Sequence, residues 1–249
     1  MGLILLTNDD GYDAAGLQAL YKELKNKKFE VFVSAPRFQQ SGSSHSLTLR
    51  RPIRVEKLKN DFFIVDGTPT DCVLLAYHDL VRNKEIEMVI AGINHGPNMG
   101  SDVFYSGTVA AALQAGTLGI KKAIALSLSG ETYSNFNNAV RYSISLIQRL
   151  LDKNIQNFIL NVNIPVGNIK GEKITQMGRR IYRDKVLRDV EQNGVMYSVI
   201  DGVLDYQVDT DTDFEAIDNN YVSITPLKLD LTDYENMKRL KEIFGLQTS

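Results

Sequence analysis

Gly2-Leu3-Ile4-Leu5-Leu6-Thr7-Asn8-Asp9-Asp10-Gly11 is the stretch that decides the fold. Gly2 to Leu6 reads as a short buried strand, an apolar run that stops at turn residues. It breaks off at Asn8-Asp9-Asp10-Gly11, a polar turn with two adjacent carboxylates. A helical pattern follows, with Leu17, Leu20, Tyr21 and Leu24 on one face. Strand, acidic turn and helix open an α/β layer fold, in which chemistry sits where the strands end. Neighbouring side chains of a strand point to opposite faces. Asp9 and Asp10 therefore share one target only where the backbone leaves the strand, a bend that Asn8 and Gly11 permit. Close like charges raise a carboxyl pKa unless a cation neutralises them. Two readings of the pair stand side by side: a divalent-metal site, and a solvated turn whose Asp caps the helix.

Working outward, Phe29 to Ser34 reads as a second strand, ended by Ala35-Pro36. The hydroxyl-rich loop Arg37 to Ser46 follows; it is a binding loop or a flexible linker. Ile53 to Leu58 and Phe62 to Val65, joined by Lys59-Asn60-Asp61, are expected as a hairpin added outside the parallel sheet. Thr68 before Pro69 suits a helix N-cap, with Asp71 in the first turn and Val73, Leu74, Tyr77 and Leu80 inward. Ile86 to Ile90 is a strand running into Ala91 to Asp102, whose glycines, proline and asparagines predict a long loop. Ser106-Gly107-Thr108 opens a helix of small residues from Val109 to Ala115. Ala123 to Leu128, a helix from about Tyr133 to Leu151, and Phe158 to Ile164 complete the alternation that predicts a doubly wound, mainly parallel sheet.

The expected division is a catalytic core over 1–165 and an extension over 166–249. In the latter, Ile174 to Val186 and Val195 to Val199 read as a long hairpin about the turn Gln192-Asn193-Gly194. The acidic run Asp209 to Asp213 reads as a solvated or capping turn, and Tyr221 to Pro226 as a strand. Thr232 with Glu235 forms a capping box ahead of a stripe of Met237, Leu240, Ile243 and Phe244. That stripe is expected to bury itself either within the chain or on another subunit.

The 249 residues suit one large α/β domain with or without an extension, and 43% hydrophobic residues supply a substantial core. A net charge of −2 gives no electrostatic case for a nucleic-acid polymer. No apolar run reaches the roughly 18 residues of a membrane span, and the start shows neither a signal-peptide core nor a myristoylation pattern. The single cysteine, Cys72, forms no internal disulfide, reads as a core residue, and makes a reducing cytoplasm the expected location. The Walker pattern, the Gly-x-Gly-x-x-Gly pattern and His-Glu-x-x-His are all absent.

What remains is a set of oxygen-rich loops at three strand ends: Asp9 and Asp10, Ser41, and Asn94. Two carboxylates, a hydroxyl and an amide carbonyl are hard ligands that suit Mg²⁺, Mn²⁺ or Ca²⁺ better than Zn²⁺. The first-turn N–H groups at Ser106 to Thr108 form a seat for phosphate, with Asn98 as a further neutral donor. His45 and His95 lie in these loops as candidates for the general acid. The rival from another class is a non-catalytic nucleotide- or phosphate-binding regulator, for which the Asp9–Asp10 pair has no use.

The stretches Thr7 to Gly11, Ala35-Pro36 with Gln40-Ser41-Gly42 and His45 to Thr48, Gly67-Thr68-Pro69 with Asp71-Cys72-Val73, Gly92 to Asn98 and Tyr105 to Val109 together resemble the SurE family of survival-protein phosphatases. Leu160 to Pro165 and Tyr221 to Leu227 extend the resemblance over essentially the whole chain. It implies a Rossmann-like domain, a C-terminal part exchanged between subunits of a homodimer or homotetramer, and one divalent ion per subunit. It implies hydrolysis of nucleoside 5′- and 3′-monophosphates, and in some members of short polyphosphate. By motif, the metal ligands are Asp9, Asp10, Ser41 and Asn94. Asn8, Gly42, Asn98, Ser106, Gly107 and Thr108 fall in the phosphate-binding part, and Asp9, Asp10, Asn98 and Ser106 in the catalytic set.

Overall fold

The computed structural model describes residues 2–81, 84–130, 135–192, 195–207 and 209–246. The opening strand, β1 (Leu3–Thr7), is buried along its whole length and lies inside the sheet. β2 (Val31–Pro36) pairs with it in parallel on one side and β5 (Ile86–His95) on the other. β4 (Phe62–Val65) lies parallel beyond β2, and β6 (Lys122–Ser129) and β7 (Phe158–Pro165) lie parallel beyond β5. The parallel order β4-β2-β1-β5-β6-β7 is that of a Rossmann-like, doubly wound sheet. The winding reverses between β1 and β5, where such sheets open a crevice at their carboxyl ends.

The alternation of β1 explains the two layers. Ile4 and Leu6 face one core with Leu17, Leu20 and Leu24 of α1 (Ala15–Asn26) and Val140, Ile144 and Ile147 of α4 (Asn137–Asp152). Leu3 and Leu5 face the other, with Val73 of α2 (Pro69–Leu75) and Val109, Ala111, Ala112 and Ala115 of α3 (Gly107–Thr117). A strand covered on both faces is apolar throughout, as this one is.

Several expectations need correction. β3 (Val55–Lys59) and β4 do form a hairpin, yet β4 is a parallel member of the main sheet; only β3 is antiparallel at its edge. Buried Phe62, Ile64 and Val65 bind it there. α2 passes into a wide helical turn over Ala76–Leu80. That turn shifts the phase, so Ala76 faces inward and Tyr77 is exposed. β5 continues through Gly92 to His95, where the composition predicts a loop, because a register shift between Ala91 and Asn94 keeps it paired to β6. α4 begins at Asn137, and Tyr133 lies outside the described residues. Ile174 belongs to a separate edge strand, β8 (Gly171–Ile174), parallel to β11 (Tyr221–Pro226). β11 in turn lies antiparallel to β7, so chain beyond Gly167 joins the main sheet.

The long hairpin is present as β9 (Arg179–Gln192) and β10 (Val195–Gln207), although Asn193 and Gly194 of its turn lie outside the described residues. Asp213 is not solvated: it is fully buried at the start of α5 (Asp213–Asp218), which Thr212 caps. α6 (Tyr234–Ile243) is capped by Asp233 rather than Thr232, and none of its residues is buried within the chain. Of the two readings of its stripe, burial within the chain is thus not formed.

Gly16 sets how closely α1 approaches β5. A Cβ there would stand 2.0 Å from the Ile93 carbonyl oxygen, a backbone atom next to Asn94. Gly16→Ala raises helix propensity but forces the two elements apart. Overpacking of this kind costs about 1–3 kcal/mol. The variant is expected to melt several degrees lower than the parent in a thermal scan, opposite in sign to the propensity effect.

Candidate active site

Asp9 leaves the end of β1 and is buried, with 4% exposure. The hydroxyl of Thr108, in the first turn of α3, donates to its Oδ1. A Cβ on Gly107 would stand 2.9 Å from Asp9 Cβ and 2.8 Å from Ser43 Oγ, so only glycine lets the helix end come this close. Burial pushes the Asp9 carboxyl up to about 6; hydrogen bonding from Thr108 opposes this, and the neighbouring charge of Asp10 adds to it. Asp10 is also raised by burial, against the His95 N–H that donates to its Oδ2 at 3.0 Å and the nearby His95 ring. His95 Nδ1 lies 3.7 Å from that oxygen, and the ring rests against Phe136.

Asn94 enters from the end of β5. Its amide nitrogen donates to the carbonyls of Gly96 at 2.8 Å and His95 at 3.3 Å, which fixes the amide and leaves Oδ1 as the end for a ligand. Asn8 is fully buried, and its Nδ2 donates to the Gly11 carbonyl at 2.7 Å, closing the acidic turn. The loop after β2 is tied in by two backbone bonds. Gln40 N–H donates to the Asp9 carbonyl at 2.7 Å and Ser44 N–H to the Tyr105 carbonyl at 3.1 Å. Ser41 follows Gln40 directly but is exposed, its hydroxyl accepting from Gln39 Nε2 at 3.0 Å. Gly42 stands at an open bend with φ 74°, where a Cβ would meet nothing within 4 Å. His45 binds Gln114 at 2.9 Å, two turns along α3 from the helix start.

Asn98 is buried and tightly held. Its N–H donates to Asn163 Oδ1 at 2.8 Å, its Nδ2 to Ser127 Oγ at 2.8 Å, and its carbonyl accepts from Asn161 at 2.7 Å and Asn163 at 3.0 Å. Ser106 caps α3, its Oγ accepting the Val109 N–H at 3.1 Å. A cavity of about 610 Å³ opens beside it, lined by His45, Phe104, Ser106, Leu113, Met177 and Leu229 among others.

The structure thus gathers Asp9, Asp10, Asn94, Gly107 and Thr108 about one point at the switch between β1 and β5. Ser41 and Gly42 are exposed on the loop between Gln40, bonded to the Asp9 carbonyl, and Ser43, which approaches Gly107; Ser106 and Asn98 are buried. Sequence reasoning missed Ser43, whose buried Oγ has no hydrogen-bond partner among the described residues. It also gave no role to Ser127, Asn161 and Asn163. Two asparagines spaced by one in an apolar strand share a face, and that was the available clue. Buried Cys72 has its thiol pushed up by burial and is a poor nucleophile.

Among the described residues no three His, Cys, Asp or Glu side chains converge. A cation here would take two carboxylates and neutral oxygens, the donor set of a hard divalent ion. Buried carboxylates held above their ordinary range, beside an unpartnered hydroxyl, fit such an ion, because its charge removes the cost of keeping both ionised.

The family model described as "Survival protein SurE" matches residues 4–184. A protein named 5′-nucleotidase SurE from Aquifex aeolicus is 39% identical over 247 residues, covering 97% of this chain and 98% of its own. Another of that name from Methylococcus capsulatus is 44% identical over 243 residues, covering 95% of each. The crystal structure of the SurE protein from Aquifex aeolicus superposes with a TM-score of 0.86 over 97% of this chain and 99% of its own. On the length and identity of these matches, the chain belongs to the SurE family.

Proposed function

We propose that the chain is a divalent-metal-dependent phosphomonoesterase that hydrolyses nucleoside 5′- and 3′-monophosphates to nucleoside and phosphate, and short polyphosphate as well. The observation that carries this reading is the closure of the α3 N-terminus on Asp9, through Thr108 and the missing Cβ of Gly107. Carboxylates and a helix N-terminus attract opposite charges. Set against each other, they suit a cation and a phosphoryl group side by side. The relatives named 5′-nucleotidase support the substrate class. So does the cavity of about 610 Å³ next to Ser106, a volume within the range of small-molecule sites.

Asp9, Asp10, Ser41 and Asn94 would hold the ion, as Mg²⁺, Mn²⁺ or Ca²⁺; when bound, it supplies Lewis-acid polarisation of the phosphoryl group and a more acidic water. The chain's own residues do the rest. Gly107 N–H, the hydroxyls of Ser106 and Ser43, and the Asn98 amide hold the phosphoryl oxygens and stabilise charge developing on them. Thr108 holds Asp9 rather than the substrate. His95, beside Asp10, is the better placed of the two histidines to protonate the leaving oxygen, since His45 is engaged with Gln114. We further assign assembly as a homodimer or homotetramer to 166–249. Exposed Ile181, Val186, Tyr197 and Val199 on the hairpin and the exposed stripe of α6 are apolar surface in search of cover. Among the described residues no helix is long and apolar enough to cross a membrane, and a cytoplasmic site of action fits the lone buried cysteine.

Chelation decides between enzyme and binder. EDTA should abolish hydrolysis of p-nitrophenyl phosphate and of nucleoside monophosphates, and excess Mn²⁺ or Mg²⁺ should restore it; failure of every divalent ion on every monophosphate would leave a phosphate-binding regulator. Asp9→Asn should lose turnover and metal affinity together, the latter by at least the ~10–100-fold that loss of an outer partner costs. Unchanged metal affinity would remove Asp9 from the ligand set. Ser43→Ala should raise KM by about 10–150-fold, the worth of one hydrogen bond to a charged group, with metal affinity intact; calorimetric titration with Mn²⁺ checks the second half.

A further inference from the structure

Chain beyond residue 178 reaches back to the segment that carries Asn98 and Ser106. At the start of that segment, Gly100 N–H donates to Asp213 Oδ2 at 2.8 Å, while Asp213 Oδ1 accepts the N–H of Gly178 at 2.8 Å, at the hairpin base. Gly100 has φ 53°, and a Cβ on it would stand 2.6 Å from the Gly178 carbonyl oxygen, so the two stretches run in direct contact. Further along, the Asp102 carbonyl accepts the N–H groups of Tyr105 at 2.9 Å and Ser106 at 3.1 Å. That turn delivers Ser106 to its place as the cap of α3. The Asp102 carboxylate is paired with Arg180 at the start of β9, and both side chains are largely buried, at 19% and 11% exposure.

We propose that Arg180 is a positioning residue for the phosphate seat, acting through Asp102, with Asp213 as the second pin. Two carboxylates, Asp102 and Asp213, approach one short turn and repel each other. The Arg180 guanidinium is a cation that can offset both and, being planar with several donors, fixes direction as well as charge. Without it the Asp102 side chain turns to water, and the carbonyl that holds Ser106 loses its fixed place. Arg180 and Asp213 need not touch substrate; they set where Ser106 and the first N–H groups of α3 stand. The proposed cation ligands hang instead on the ends of β1 and β5 and on the loop after β2. Loss of Arg180 should therefore weaken phosphate binding and leave cation binding in place, a split that general loss of stability does not produce. The hairpin becomes part of the site's scaffold.

This inference rests on the phosphomonoesterase reading, so binding is measured beside turnover. Full-length wild type, Arg180→Ala, Arg180→Lys, Asp102→Asn and the Arg180→Ala/Asp102→Asn double variant are compared. The readouts are kcat and KM for p-nitrophenyl phosphate with Mn²⁺, affinity for inorganic phosphate, affinity for Mn²⁺, and Tm. Arg180→Ala and Asp102→Asn should each raise KM and the phosphate dissociation constant by about tenfold, as expected for disturbing one charge-assisted contact. Mn²⁺ affinity should stay within about twofold, the double variant should be no worse than either single because the two share one interaction, and Arg180→Lys should recover most of the loss. Phosphate affinity unchanged in Arg180→Ala, or phosphate and Mn²⁺ affinities falling in step, would overturn the proposal. If Arg180→Ala does not fold, Asp102→Asn decides by the same split. Wild type that binds Mn²⁺ and phosphate but turns nothing over would refute the enzyme reading, and the binding constants would still judge Arg180.

Discussion

The site depends on one costly placement, the burial of the Asp9 carboxylate against the end of α3. A charge taken out of water loses far more than a single hydrogen bond returns. The Thr108 hydroxyl and the partial positive charge of the helix N-terminus, equivalent to roughly half an elementary charge, recover part of that. They do not recover it all, since the carboxyl still sits near 6, with Asp10 beside it also raised. Such a pair is relieved by a proton or by a cation. Only the second offsets the charge of both groups while they stay ionised, and only the second places a compact positive charge where a phosphoryl oxygen can approach.

The sheet makes this placement possible. β1 and β5 are neighbours, yet the chain leaves them toward opposite sides, so a crevice opens between their ends. Around it lie polar groups that are buried but paired. Asn98 binds Ser127, Asn161 and Asn163 through both backbone and side chain, and Asp213 accepts the N–H groups of Gly100, Gly178 and Phe214. Buried networks of this kind hold geometry more firmly than apolar packing, because a shift leaves further buried groups without their partners. Among the described residues Asn161 Oδ1, Ser43 Oγ and Asn8 Oδ1 lack a partner, and the last two lie in segments bonded to the Asp9–Asp10 turn or its rim.

How much of this is legible in the sequence follows from how local each interaction is. The β1–turn–α1 opening can be read because apolar run, bend residues and helical spacing all fall within about two dozen positions, and Asp9 and Asp10 come with it. The parallel order follows from alternating strands and helices. Gly92 to Asn94 reads as loop because glycine and asparagine disfavour strands, yet pairing to β6 across a register shift overrides that preference. The run Asp209 to Asp213 reads as a solvated or capping turn because no clearly apolar strand precedes it; Thr212 does cap α5, but the partners of buried Asp213, Gly100 and Gly178, are distant in sequence, and no local pattern points to them. Ser43 is hidden differently. The loop from Arg37 to Ser46 holds Ser41, Ser43, Ser44 and Ser46 with no rule for choosing among them, and only the close approach of Gly107 does so.

The hairpin shows why a part far from the chemistry is retained in such a form. A two-stranded sheet is marginal alone, and β9 with β10 forms one apart from the main sheet, with apolar side chains exposed along it. Its root is fixed by Asp213, which accepts the N–H groups of both Gly178 and Gly100, and by Arg180 at Asp102; Gly100 and Asp102 lie on the segment leading to Ser106. Order at that root and order in the proposed phosphate seat would then be the same order, held by the same contacts. On the proposed assembly, a partner that covers the outer hairpin stiffens β9 along its length and so reaches Ser106 without touching it. On the proposed site and assembly, a chain whose hairpin is left uncovered would keep its cation ligands and hold phosphate less well, which would tie subunit contact to substrate binding through Arg180 rather than through the metal.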